Sequence, residues 1–175
     1  MKSNGFALWL TGLSGSGKTT LAKAISEELN IRGVRVELLD GDEVRQNLSS
    51  DLGYTRDDRN TNIRRIGYIT ELLSRNGIGV VVATISPYRE TREELKKYIT
   101  NYLEIHVDCS IEECIKRDVK GLYQKALKGE IKHFTGITDT YEVPLNPDLV
   151  VNTQYEDIKL CVTKILTKLE QCGHI

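Results

Sequence analysis

Eight residues restrict this chain more than any others: Gly12-Leu13-Ser14-Gly15-Ser16-Gly17-Lys18-Thr19. They read G-x-x-x-x-G-K-T, the loop that cradles phosphates between a strand and a helix in nucleoside-triphosphate proteins. Each residue type has a physical job. Glycines at 12, 15 and 17 leave the backbone bare, so its N–H groups can close around phosphate oxygens. Lys18 has the reach and charge for the β- and γ-phosphates, and the Thr19 hydroxyl suits a magnesium ion. The flanks agree. Phe6 to Leu10 is a short apolar run of strand type, and Leu21, Ala22, Ala24, Ile25 and Leu29 recur at helical spacing between Thr20 and Leu29. A helix start reached through such a loop aims N–H groups and dipole at an anion.

Composition sets limits on the rest. A chain of 175 residues suits one domain around a single core, expected here over 1–175. Lys plus Arg is 24 and Asp plus Glu is 25, a net charge of −1, so no general field draws nucleic acid or a membrane surface. An anionic ligand must then be met by local basic residues. No run of eighteen apolar residues offers a membrane span. Met1 to Gly5 lead straight toward the first strand, so no signal peptide is expected there. Cys109, Cys114, Cys161 and Cys172 show neither C-x-x-C pairing nor histidines at zinc spacing. Reduced thiols in a cytoplasmic protein are the expectation.

Beyond the first helix, strand and helix patterns alternate, which argues for a doubly wound α/β fold with a mainly parallel sheet. Val34 to Leu39 reads as a strand ending in Asp40-Gly41-Asp42. Open α/β sheets bind ligands at the carboxyl ends of their strands. Asp40 and Asp42 are therefore either a solvated turn or partners of Mg²⁺ and an attacking hydroxyl beside the loop. Arg45 follows about one helical turn later. Thr55 and Asp58 resemble a capping pair for a helix from about Asp57 to Arg75. Its core stripe runs through Ile63, Ile66, Ile69 or Thr70, and Leu73, and Arg59 and Asn62 share it. A charge on that stripe needs a buried partner, either a bound anion or an internal carboxylate such as Asp42 or Asp58.

Gly79 to Ile85 is a near-continuous apolar run, as in a buried parallel strand, and presents Ser86 at its carboxyl end. Ser86 then faces the site or merely opens the helix from about Arg89 to Thr100. A strand at Leu103–Val107, a helix at Ser110–Lys116, a strand at Leu149–Val151 and a closing helix at Tyr155–Gln171 follow. Ile158, Val162, Ile165, Leu166 and Leu169 mark the buried face of that last helix. The polar stretch from Asp118 to Tyr141 contains Gly121, Gly129 and Gly136. It reads as a lid, with Arg117, Lys120 and Phe134 closing over ligands, or as a short helix at 121–128 and a plain loop.

Two triphosphate classes compete. A GTPase switch needs a guanine-reading N-K-x-D element, which the chain lacks. Its formal D-x-x-G match, Asp118-Val119-Lys120-Gly121, follows a helix pattern and not a strand. A small-molecule kinase needs a second anion site, a hydroxyl-activating carboxylate and a basic lid, and all three have candidates.

Together these segments resemble the adenylyl-sulfate kinase family. The resemblance rests on the loop from Gly12 to Thr20, Asp-Gly-Asp-x-x-Arg at 40–45, Asp-Leu-Gly-Tyr at 51–54 and Asp-Arg-x-x-Asn-Ile-Arg-Arg at 58–65. Ile-Ser-Pro-Tyr at 85–88, Arg-Asp-Val-Lys-Gly-Leu-Tyr at 117–123 and Phe-Thr-Gly-Ile at 134–137 extend it from about Ala7 to Thr153. It implies transfer of the ATP γ-phosphate to the 3′-hydroxyl of adenosine 5′-phosphosulfate, in sulfate activation. It implies that the loop from Gly12 through Leu13, Ser14, Gly15, Ser16, Gly17, Lys18 and Thr19 to Thr20, with Arg117, holds ATP. Thr19 and Asp40 would hold Mg²⁺, and Lys18, Asp40, Asp42 and Ser86 would serve catalysis. Asp42, Arg45, Tyr54, Arg59, Asn62, Ile85, Ser86, Lys120 and Phe134 would bind adenylyl sulfate, with Tyr54 and Phe134 sandwiching its adenine. Tyr54 stands where the family usually has Phe, and Val119 where it usually has Pro. A homodimer and a functional link to an ATP sulfurylase are further implications. Ser86 matches a serine described in the family as a phosphoserine intermediate. A nucleophilic serine needs an adjacent base, and His106, His133 and His174 are all distant in sequence. The expectation is therefore one direct transfer with Ser86 as a hydrogen-bonding residue.

Overall fold

The computed structural model describes residues 5–175, so the expected lead through Met1–Asn4 lies outside the described residues. The elements are β1 (Phe6–Thr11), α1 (Lys18–Ile31), β2 (Val36–Asp40), α2 (Gly41–Leu48), α3 (Arg56–Ser74) and β3 (Gly79–Ala83). They continue with α4 (Arg89–Tyr98), β4 (Tyr102–Asp108), α5 (Ile111–Arg117), α6 (Leu122–Leu127), β5 (Leu149–Asn152) and α7 (Ile158–Gln171). The five strands form one parallel sheet in the order β2-β3-β1-β4-β5.

β1 and β3 are buried along their whole length because helices cover both sheet faces. Side chains alternate between the two faces. Phe6, Leu8 and Leu10 pack with Val81, Leu21, Ile25, Ile165 and Leu169 against α1 and α7. Ala7 and Trp9 pack with Val80, Val82, Ile66 and Leu95 against α3 and α4. Leu10 and Asp40 both pair in register with Ala83, which brings the carboxyl ends of β1, β2 and β3 to one level. That level is where the glycine loop, Asp40 and the turn after β3 meet.

Several boundaries differ from the sequence reading: β3 ends at Ala83 and not Ile85, α4 ends at Tyr98 and not Thr100, and α2 is an element the sequence reading did not include. β2 starts at Val36 because the Val34 N–H donates back to Leu29 O (3.0 Å) in the turn that ends α1. α2 has no apolar stripe, since only Val44 among its residues is buried; its start is set by Asp40, which accepts from the Asp42 N–H at 3.0 Å. α7 starts at Ile158 because the Asp157 carboxylate caps it through the Leu160 N–H (2.7 Å). Ile158, expected inside, is 49% exposed. In α3, Thr70 rather than Ile69 completes the buried stripe, with its hydroxyl donating to Ile66 O at 2.8 Å. The 118–141 stretch has a small core of its own, in which Cys109, Cys114, Tyr123, Ala126 and Phe134 pack together.

Candidate active site

The glycine loop holds a shape that side chains would prevent. A Cβ on Gly12 would lie 2.5 Å from the Val107 carbonyl oxygen, and Gly17, the residue before α1, has φ of 95°. Lys18 folds under the loop, donating to Gly12 O (2.9 Å) and Leu13 O (2.7 Å). Burial, the largest influence, lowers its pKa to about 8. Thr19 Oγ1 donates to Asp40 Oδ2 at 2.7 Å, while the other Asp40 oxygen caps α2. Hydroxyl and carboxylate side by side form a hard oxygen set of the kind Mg²⁺ takes together with phosphate oxygens and water. Among the described residues no cluster of three His, Cys, Asp or Glu exists that would hold a metal without such a ligand. Asp42 stands across from Lys120, which pairs with it from the far wall.

Arginines dominate the opposite side. Arg45 Cζ sits 4.3 Å from the Tyr54 ring centroid, and Arg59 Cζ sits 5.5 Å from it. Arg59 Nε donates to Tyr54 O (3.1 Å), and its guanidinium also donates to His133 O. Among the described residues no carboxylate makes a salt bridge with Arg59, so the internal bridge to Asp42 or Asp58 is not formed. Asp58 instead closes the capping box with Thr55. Burial pulls the Arg59 pKa down from its ordinary value, as expected of a cation lacking a buried counter-ion. Asn62 is buried with its Oδ1 unpartnered. Ser86 is 2% exposed, adopts φ of 44°, and its hydroxyl accepts from the Trp9 indole N–H at 2.8 Å.

A cavity of about 260 Å³ joins these parts. Of the expected residues, Ser14, Gly15, Gly17, Lys18, Thr19, Thr20, Asp40, Asp42, Arg45, Tyr54, Arg59, Asn62, Ile85, Ser86 and Lys120 all line it. Gly12, Leu13 and Ser16 shape the loop without lining the cavity. Arg117 braces the loop from behind, donating to Thr153 O (2.8 Å) and Gly15 O (3.4 Å) and pairing with Glu113 (3.1 Å). Phe134 departs most from expectation. It is 8% exposed and packs edge-on against Tyr123, centroids 4.9 Å apart and planes at 77°. The expected Tyr54–Phe134 sandwich is therefore not assembled: burying Phe134 in the small core satisfies its ring, and Arg45 faces the Tyr54 ring instead.

Sequence reasoning assigned no role to three residues that the structure ties to the site. The Tyr123 hydroxyl donates to Ser14 O (2.8 Å), fastening α6 to the glycine loop. Trp9 holds Ser86. Arg92, buried on α4, donates to the Ser86 carbonyl. Its signal was present: Arg92, Leu95 and Ile99 share one helical stripe, the same pattern that singled out Arg59.

The Adenylylsulphate kinase family pattern matches residues 4–152. The adenylyl-sulfate kinase of Picosynechococcus sp. is 50% identical over 175 residues, covering 100% of this chain and 99% of that protein. A probable bifunctional SAT/APS kinase 2 of Sorangium cellulosum is 52% identical over 98% of this chain, which corresponds to 30% of that longer protein. Among solved structures, the Mycobacterium tuberculosis APS kinase CysC in complex with AMPPNP and APS superimposes with a TM-score of 0.92. It is 38% identical, with 95% of this chain and 98% of that one covered.

Proposed function

The chain belongs to the adenylyl-sulfate kinase family, and from that premise we propose which of its residues carry each part of the reaction. The reaction is ATP-dependent phosphorylation of the 3′-hydroxyl of adenosine 5′-phosphosulfate, giving 3′-phosphoadenylyl sulfate and ADP. Phosphoryl transfer demands positioning and charge stabilisation more than covalent chemistry. The loop from Gly12 to Thr20 takes the triphosphate, with Lys18 leaving its carbonyl partners for phosphate oxygens. Arg117 acts on ATP through the loop it braces. Thr19 and Asp40 would hold magnesium, which would supply positive charge at the triphosphate.

Asp42 is the group we assign to orient the acceptor hydroxyl and take its proton. Its support is that both Asp40 oxygens are engaged, by Thr19 and by the Asp42 N–H, whereas Asp42 pairs with Lys120, which in this reading turns to the phosphosulfate when the acceptor binds. Arg45, Arg59 and Lys120 surround the acceptor's phosphosulfate, and the unpartnered Asn62 Oδ1 accepts from it or its sugar. The adenine lies on Tyr54, with Phe134 serving the fold of the covering segment rather than the base. Ile85 and Ser86 close the floor, and Ser86 donates its hydroxyl proton to the acceptor. One transfer with inversion at phosphorus follows, because Asp42 removes any need for a nucleophile at Ser86.

The observation that carries this reading is one cavity with phosphate loop and carboxylates on one wall and, on the other, Arg45 and Arg59, which make no salt bridge among the described residues. A product assay with ATP, Mg²⁺ and adenylyl sulfate, AMP, shikimate or gluconate tests it. Turnover is expected with adenylyl sulfate; turnover confined to another acceptor would overturn the residue assignments.

We read residues 1–175 as one P-loop kinase domain with a mobile lid at about 118–141. Support comes from the contacts that rest this segment on the cleft, Lys120 to Asp42 and the His133 carbonyl to Arg59. The molecule acts as a homodimer in this reading. Tyr68 and Leu72, one turn apart on α3, are exposed beside Tyr98 of α4, whose hydroxyl reaches Gly67. Light scattering checks the mass. A link to an ATP sulfurylase is supported by the bifunctional relative, and a cytoplasmic location by four cysteines that remain free thiols.

A further inference from the structure

Arg92 occupies a place that side chains of its type rarely take. It is 2% exposed, between α4 and the sheet, and its Nε pairs with Glu104 Oε1 of β4 at 2.7 Å. Glu104 is buried as well. A buried ion pair is weak evidence of stabilisation, since two charges leave water to form it. Its remaining donors show what it does. One guanidinium nitrogen donates to the Ser86 carbonyl and the other to the Glu142 carbonyl (2.5 Å). The planar fork therefore ties two chain segments that are 56 residues apart to one fixed carboxylate.

Both segments matter to the site. Ser86 has a positive φ of 44°, a conformation a serine holds only when its surroundings impose it. The two successive carbonyls of that turn are pinned, Ile85 O by Thr11 Oγ1 (2.6 Å) and Ser86 O by Arg92. Glu142 lies at the returning end of the 118–141 segment. Its neighbour Tyr141 places its hydroxyl 3.0 Å from Thr11 Oγ1, at the mouth of the glycine loop. One network thus spans the end of β1, the Ser86 turn and the base of the lid.

We propose that Arg92, oriented by Glu104, is a positioning residue that sets the Ser86 turn and the base of the 118–141 segment as one unit, and so governs use of the acceptor nucleotide but not of ATP. This rests on the reading of Ser86 as part of the acceptor site. The roles of Lys18, Thr19 and Asp40 do not depend on it.

The test is steady-state kinetics with each substrate varied in turn, on the full chain. Removing Arg92 alone would strand the Glu104 charge and endanger folding. The informative variant is therefore the pair Arg92→Met with Glu104→Leu, which removes both charges at similar volume. We expect KM for adenylyl sulfate to rise about tenfold or more with KM for ATP within about twofold, a split that general loosening would not give. Adding Ser86→Ala to that pair should cost far less than it does in the wild type, because the two changes disable one unit. Where the pair does not fold, Arg92→Lys carries the test: it keeps the charge opposite Glu104 without the fork to both carbonyls. Equal rises in both KM values, or an unchanged acceptor KM in a folded variant, would overturn the proposal. Unchanged acceptor kinetics in Ser86→Ala alone would instead remove the acceptor-site reading beneath it, and the proposal with it.

Discussion

At the scale of single residues, Lys18 and Ser86 make the sharpest claims. Lys18 sits buried against two loop carbonyls, with its pKa lowered to about 8. In the proposed function it leaves those carbonyls for the phosphate oxygens. Removing one preorganised electrostatic contact of this kind costs about 10² to 10³ in rate. Lys18→Ala should lose that much kcat while staying folded, and turnover near wild type would show that the glycine loop is not the catalytic phosphate site. Ser86→Ala should be milder for catalysis, about tenfold, the worth of roughly one hydrogen bond. It should also cost stability, because the buried Trp9 N–H loses its acceptor, a penalty of about 1–3 kcal/mol. Chirally labelled γ-phosphate separates the mechanisms: inversion is expected, and retention would mean two transfers through an enzyme-bound phosphate.

At the scale of elements, α3 supplies the wall of the cleft that we assign to the acceptor, because Arg59 and Asn62 lie in its first turns. Those turns are fixed by the Thr55–Asp58 capping box. Thr55→Ala should destabilise the protein by about 1 kcal/mol and raise the acceptor KM, since Arg59 also leans on the neighbouring Tyr54 carbonyl. Unchanged melting and kinetics would mean that the box is redundant. The covering segment makes the opposite prediction. Phe134→Ala opens a hole in the small core with Tyr123, and truncating a buried Phe costs about 3–5 kcal/mol in a main core. Proteolysis within 118–141 should accelerate, with both nucleotides bound less well; selective loss of adenylyl sulfate would restore the aromatic sandwich. The contrast explains what the sequence could and could not disclose. The glycine loop, the capping box and the strands β1 and β3 were legible because their signals are contiguous or periodic. α2 was missed because a short, solvated helix buries only Val44 and leaves no stripe. Phe134 was misplaced because its partner Tyr123 lies on another element, and nothing local says which of two apolar surroundings an aromatic ring will choose.

At the scale of the whole molecule, strand order was the least legible property. The order β2-β3-β1-β4-β5 depends on how crossovers pack across the sheet, not on any one run of residues. That order has a consequence for pH. His106, on β4 near the sheet's carboxyl end, stacks on Tyr141 at 6.1 Å, and His174, beyond α7, stacks on Phe6 at 5.8 Å. Burial, the leading cause in both, depresses their pKa values; Arg92 lowers His106 further while Asp108 opposes it. In the unfolded chain both titrate near about 6.5. The folded values lie lower, so below that pH the unfolded chain binds more protons, and stability rises with pH across the interval. The contribution is therefore complete above about pH 7 and is lost as pH falls through the depressed folded values. Glu104 works the other way: burial raises its pKa, so its contribution is complete at acid pH and lost as pH rises through its folded value. The histidine effect should thus be clearest just below about pH 6.5. Melting temperatures measured in steps from about pH 7.5 to 5.5 should fall on the acid side. His106→Gln combined with His174→Gln should flatten that fall. An equal acid slope in the double variant would show that the loss of stability comes from carboxylates, and that these two rings fold as readily charged as neutral.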